Sequence, residues 1–195
     1  MPDLDLDVLL PVALGIGLAA ATGFRVFLPM LVVSASAYAG HLPLADNFAW
    51  LGTPQALVML GVASTIEVLA YYVPVLDNML DTLATPAAVI AGTLVTAAVM
   101  TDLPPMVKWT TAIIAGGGVA GLTQGATALL RAKSTVFTGG VGNPVIATAE
   151  LGSSLLLSLL AIAAPLIAVA MVILLLWLAA RAIGRVRSRP PQQRS

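Results

Sequence analysis

Five long apolar runs, parted only by short polar or proline-bearing breaks, decide which solvent this chain can fold in. They cover about Val8–Ala39, Pro54–Val73, Pro86–Met100, Val107–Leu130 and Pro144–Ile183. A helix rises about 1.5 Å per residue and a bilayer's hydrocarbon core is about 30 Å thick, so roughly twenty apolar residues make one crossing. The last run is about twice that length, and Pro165, after Ala163-Ala164, is its natural point of division. Charged residues are 9% of the 195 and hydrophobic residues 59%, with a mean hydropathy of +0.99. Soluble domains carry about 25% charged residues, so there is too little polar surface here to cover a globule in water. The expectation is an all-α, polytopic transmembrane helix bundle of about six spans. It forms one domain over residues 1–189, with a short polar tail at 190–195.

Punctuation supports the division. Thr53-Pro54, Thr85-Pro86 and Asn143-Pro144 each place a capping side chain before a proline suited to the first helical position. Asp102-Leu103-Pro104-Pro105 breaks the chain, and the glycine-rich stretch Ser134 to Asn143 reads as a connection. The first run is anomalous. It carries Pro11, Gly15, Gly17, Gly23, Arg25 and Pro29, and is too long for one straight crossing. It is expected to be kinked or broken between about Ala20 and Pro29, with the opened backbone facing protein or water. Gly117, Gly121 and Gly125 recur at four-residue spacing, which predicts a close helix–helix contact.

Charge sets the expected orientation. Net charge is zero, but Asp3, Asp5 and Asp7 mark the start and Arg181, Arg185, Arg187, Arg189 and Arg194 the end. Beside an apolar segment such a basic tail reads as a cytoplasmic anchor on anionic lipid rather than a nucleic-acid arm. Six passes would then put both termini in the cytoplasm, with Arg131 and Lys133 in an inner loop and Lys108 in an outer one. Trp50 and Trp109 would lie at the outer interface and Trp177 near the inner one. The bacterial inner membrane is the expected location. No basic stretch precedes the first run, so it does not read as a cleaved signal peptide.

Ionisable residues inside a bilayer are costly, and so they are the candidates for function. Arg25 is the deep cation of the first run. Glu67 and Glu150 fall at similar depth in the cytoplasmic half, and Arg25 is the obvious partner of either. The set reads equally as a buried ion pair that fixes helix register and as a solute or proton site. Asp77 and Asp81 are four residues apart, suited to a hard cation or simply to a solvated connector. There is no cysteine, and the one histidine, His41, sits in an expected loop. With no phosphate loop, zinc spacing or activated nucleophile, neither an enzyme nor a metal or other cofactor is indicated. Thr65-Ile-Glu67 aligns with Thr148-Ala-Glu150, and each is followed by a proline, Pro86 and Pro165, expected to open the next helix. That hints at a weak 3+3 internal repeat.

Three blocks resemble the domain of unknown function 4126 family of small bacterial membrane proteins. They are Gly23-Phe-Arg-Val-Phe-Leu-Pro29; the block from Glu67 through Pro74, Asp77 and Asp81 to Thr85-Pro86; and Ala147-Thr-Ala-Glu150 with Ala164-Pro165 downstream. The resemblance implies the multi-pass architecture and singles out Glu67, Asp77, Asp81 and Glu150, but supplies no reaction. The family pattern often has an acid–base pair where this chain has Tyr71 and Tyr72, a second acid at Leu151 and a histidine at Ala164. Three functions fit: a permease-like transporter with an intramembrane site for a small solute, cation or proton; a structural or partner-binding subunit locked by its buried charges; and a lipid-handling protein in which Arg25 or Lys133 meets a phosphate. The expected partners are membrane lipid and a small solute or ion, with no nucleic acid. Oligomeric state is not legible.

Overall fold

The computed structural model describes residues 6–187, apart from the side chains of residues 7, 74–79, 81 and 182–187. Among the described residues every regular element is helical. They are α1 (Leu6–Thr22), α2 (Phe27–Tyr38), a 3-10 turn (Asp46–Gly52), α3 (Pro54–Ala70), α4 (Pro74–Val99), α5 (Pro105–Thr111), a π segment (Ala112–Gly117), α6 (Gly118–Thr138), α7 (Asn143–Ala163) and α8 (Pro165–Arg187). The stretch from α5 to α6 runs as one helix, Pro105–Thr138.

Prolines set most of the boundaries. The Thr53 hydroxyl accepts from Ala56 N at 3.3 Å, with Pro54 at the first helical position. Pro165 divides the last run as expected, because the residue before a proline is pushed out of the helical region; Ala164 has φ −150° and ψ 73°. Pro86, in contrast, opens nothing. Helix α4 starts twelve residues earlier at Pro74 and continues through Pro86, which forgoes one backbone hydrogen bond. Asn143 is the first residue of α7 rather than its cap, and its side chain donates to Thr135 Oγ1 at 3.2 Å.

The first run is broken, and the break reverses the chain. Thr96 Oγ1 donates to Gly15 O at 3.0 Å, Ser154 Oγ to Ala21 O at 2.9 Å and Arg25 Nη2 to Ala147 O at 2.8 Å. Thus α1 runs antiparallel to both α4 and α7. After the turn at residues 23–26, Ser34 Oγ donates to Leu51 O at 2.6 Å, and Ala45 N donates to Ala98 O at 2.8 Å, close to Thr96. By residue 45 the chain has returned to the level it passed near residue 15. Helices α1 and α2 are therefore a re-entrant hairpin, with Gly23–Val26 at a tip inside the bundle. We call the end where α1 begins proximal and the other distal. Helix α3 runs to the distal end, α4 returns, α5–α6 runs out, α7 returns and α8 runs out.

This arrangement bears on the expected orientation and number of spans. The start of α1 and the end of α8 lie at opposite ends, because the first run turns back instead of crossing. Three helical stretches are long and apolar enough to span a membrane: Thr82–Val99, Pro105–Thr138 and Asn143–Ala163. The 3-10 turn with α3, bent by 70°, is a fourth if the pair counts as one span, while α1, α2 and the apolar part of α8 are shorter. Three or four helices are thus long and apolar enough to cross, beside the hairpin and α8, and six spans are not confirmed. The 3+3 repeat loses its support, since Pro86 opens no helix and the first run does not cross.

Small residues let the hairpin into the bundle. A Cβ at Gly23 would lie 2.5 Å from both Ala120 O and Thr123 Cβ on α6, and one at Gly17 2.8 Å from Ala161 Cβ. Of the expected glycine face, Gly117 packs against Thr93 and Val89 and Gly121 against Val89, but Gly125 has nothing within 4 Å of a Cβ position. Four-residue steps drift about 40° each on a helix of 3.6 residues per turn, which carries Gly125 off the α4 contact. It lines a cleft beside α8 with Leu176 and Ala179. Gly23→Ala is accordingly expected to destabilise the protein by roughly 1–3 kcal/mol through overpacking. Gly125→Ala should be neutral or stabilising by up to about 1 kcal/mol. Chemical denaturation of the two variants in the same detergent checks this, and equal effects would count against a packed hairpin tip.

Candidate functional site

The hairpin tip creates an electrostatic demand. Helix α2 begins in the interior, where its first N–H groups have no water to bond. Glu67, 6% exposed and one turn from the end of α3, meets that demand. Its Oε1 accepts from Val26 N at 2.7 Å and its Oε2 from Phe27 N at 3.0 Å. Pro29, expected at a helix break, sits in the first turn of α2, where its missing N–H leaves one donor fewer to satisfy. A carboxylate at a helix N-terminus is also favoured by the helix dipole.

Beside this cap lies a buried ionic cluster. Arg25 is 1% exposed and its Nη2 stands 3.7 Å from Glu150 Oε2. Glu150, 4% exposed, is held on both oxygens by Arg131: Nε donates to Oε1 at 3.0 Å and Nη2 pairs with Oε2. The buried Tyr71 ring carries both cations, with Arg25 Cζ at 3.9 Å and Arg131 Cζ at 4.1 Å from its centroid. Cation–π contact of this kind lowers the cost of keeping two guanidiniums in one dry place. Arg25, Arg131, Glu67 and Glu150 sum to zero formal charge.

The sequence offered Glu67 and Glu150 alike as partners of Arg25, and the structure brings Glu150 to 3.7 Å from it. The hydrogen bonds of Glu67, the other candidate partner, go to the backbone of α2. Sequence reasoning missed Arg131, which was expected in an inner loop. Helix α6 continues seven residues past Arg131 to Thr138, and Arg131 is 3% exposed. Glu150 likewise lies seven residues into α7. The two are thus equidistant from the α6–α7 turn, and that symmetry was the available signal. Tyr71 was also missed. Asp77 and Asp81 fall on helical backbone of α4 rather than in a connector, and their side chains lie outside the described residues. Lys108 is buried in α5 rather than exposed in a loop. Among the described residues no three His, Asp or Glu side chains gather where they could hold a metal ion.

A family model described as Domain of unknown function (DUF4126) matches residues 12–185. The chain belongs to the domain of unknown function 4126 family. No curated protein and no solved structure matches it. The match takes in the hairpin, Glu67, Tyr71, Arg131 and Glu150, so in this DUF4126 member the whole cluster lies within the family domain. Next to the cluster, a groove of 370 Å³ bordered by Phe27, Ile66, Glu67, Tyr71, Leu83 and Ala87 opens between α3 and α4. Apart from Glu67 and the Tyr71 hydroxyl, those side chains are apolar.

Proposed function

We propose that this protein is a small multi-pass membrane transporter with an intramembrane polar site for a small solute, cation or proton at the tip of its re-entrant hairpin. The observation that carries the reading is Arg25 at that tip, inside a cluster of four buried charges roughly 10 Å from the distal end along α6 and α7. Buried ions cost several kcal/mol each even when paired, and broken helices with charged residues at mid-membrane recur where solutes and ions cross. The start of α2 is capped from outside the hairpin, by Glu67 on α3, so a change at that carboxylate would loosen one of the contacts that hold the tip. The reading assigns no catalytic residue and no cofactor. A specific observation favours a second reading, a structural lock: both carboxylates are engaged by protein donors. The sideways groove supports a third, lipid handling.

Lys133 and the arginines of α8 lie distal, while Asp46 and Asp102 lie proximal. By the positive-inside rule the distal end, where α8 ends, faces the cytoplasm of a bacterial inner membrane and the start of α1 faces outward. Single cysteines in this cysteine-free chain test orientation and water access together. Impermeant thiol reagents on intact cells should label Leu6→Cys and Asn47→Cys but not Val141→Cys. Ser154→Cys, beside the hairpin tip, should react with a small water-soluble reagent if a solute path reaches it. A Ser154→Cys protein that stays unreactive from both faces returns the cluster to the structural reading. Labelling of Val141→Cys in place of Asn47→Cys would invert the orientation.

A further inference from the structure

We infer that Arg25 is the seat of an anion site, at which the oxygens of a small oxyanion, a carboxylate or a phosphate, receive its Nε and Nη1 donors. The inference deepens the transport reading above and rests on it for the purpose of the site, naming the class of solute. A guanidinium has five N–H donors, no acceptor, and stays protonated in proteins. At Arg25 only Nη2 is engaged, with Ala147 O; Nε and Nη1 are fully buried and have no hydrogen-bond partner among the described residues. Buried donors left unmet are rare, and those of an ion are the most costly.

The surrounding charges say what kind of partner is missing. Glu150 is the nearest carboxylate, but Arg131 occupies both its oxygens and Arg25 stands off at 3.7 Å, beyond hydrogen-bond reach. Glu67 neutralises the cluster as a whole, yet its oxygens are turned to the amides of α2. The carboxylate nearest to Arg25 is therefore already engaged by another guanidinium. A cation placed there would meet the Arg25 guanidinium, whereas an anion would meet its unmet donors. The planar guanidinium fork fits carboxylate and phosphate oxygens better than a spherical ion. Such an oxyanion comes either from a free solute or from a lipid headgroup reaching in through the groove beside Glu67 and Tyr71.

The full chain, purified in a neutral detergent, is titrated with sodium acetate and sodium phosphate at constant ionic strength made up with sodium chloride, and separately with phosphatidic acid. A saturable rise in melting temperature is expected, roughly 3–6 °C at about ten times the dissociation constant. Arg25→Gln should abolish it. Should that variant fail to fold, Arg25→Lys decides, since it keeps the charge and loses the fork; it should bind at least about tenfold more weakly. A rise with acetate or phosphate in lipid-free detergent assigns a free solute, and a rise with phosphatidic acid alone assigns a headgroup. No rise with any of the three, or an equal rise in Arg25→Lys, overturns the anion site. If the anions fail to bind while Ser154→Cys remains water-accessible, the anion site falls and the transport reading stands. If they bind while Ser154→Cys stays dry from both faces, the reverse holds.

Discussion

Glu67→Gln should lower the melting temperature of the purified protein by on the order of 10 °C. The substitution keeps the shape and removes the charge. Two charge-assisted hydrogen bonds to Val26 N and Phe27 N, at 2.7 and 3.0 Å, are replaced by at most one neutral bond, because the new amide nitrogen is a donor facing a donor. The start of α2 loses the anion that complements its dipole, and Arg25 loses one of the two negative charges near it. Removing one member of a buried charged set costs roughly 3–5 kcal/mol, and for a chain of this size each kcal/mol is worth roughly 2–4 °C. Glu67→Asp keeps the charge but is one methylene short of the amides and should fall between parent and Gln. Differential scanning fluorimetry in detergent reads all three. A Glu67→Gln protein that melts with the parent would show that α2 does not depend on this cap.

Glu150 and Arg131 should be strongly coupled, with an ordered asymmetry between the single variants. Glu150→Gln leaves two buried guanidiniums facing each other across Tyr71 and should cost roughly 3–5 kcal/mol. Arg131→Met is expected to be milder, because Arg25 remains 3.7 Å from the carboxylate and can close on it. The double variant should lose less than the sum of the singles, by roughly 2 kcal/mol or more. The cycle is measured by equilibrium denaturation of the four proteins under one condition. Additive losses would mean that the pair does not act as a unit, and a milder Glu150→Gln would mean that Arg25 relies on some other anion.

Much of the architecture was legible because lipid imposes it. Apolar runs of crossing length, the division at Pro165, the start at Thr53-Pro54 and a break near Gly23 all follow from local rules: the length of a crossing, the cost of open backbone in hydrocarbon, and the geometry of proline. The membrane class and the weight placed on Arg25, Glu67 and Glu150 follow from how few charges the chain carries.

Direction was a different matter. Gly23 to Val26 can kink a crossing helix or reverse it, and nothing local distinguishes the two. The outcome rests on hydrogen bonds from Thr96, Ser154 and Arg25, reaching 81, 133 and 122 residues along the chain, and on a glycine surface that admits the tip. That reversal moved the N-terminal end to the opposite side from the C-terminal end. Pro86 likewise reads locally as a helix start, yet it lies exposed inside α4. Arg131 ended an apolar run on paper, because an isolated arginine belongs in water; in the fold Glu150, seven residues beyond the turn, makes its burial affordable. The sequence by itself determined the solvent, the helices and most of the costly charges. Only the tertiary structure decided which way the first run goes and which charges meet, because both depend on partners far away in the chain, and pairing alone makes buried charge tolerable.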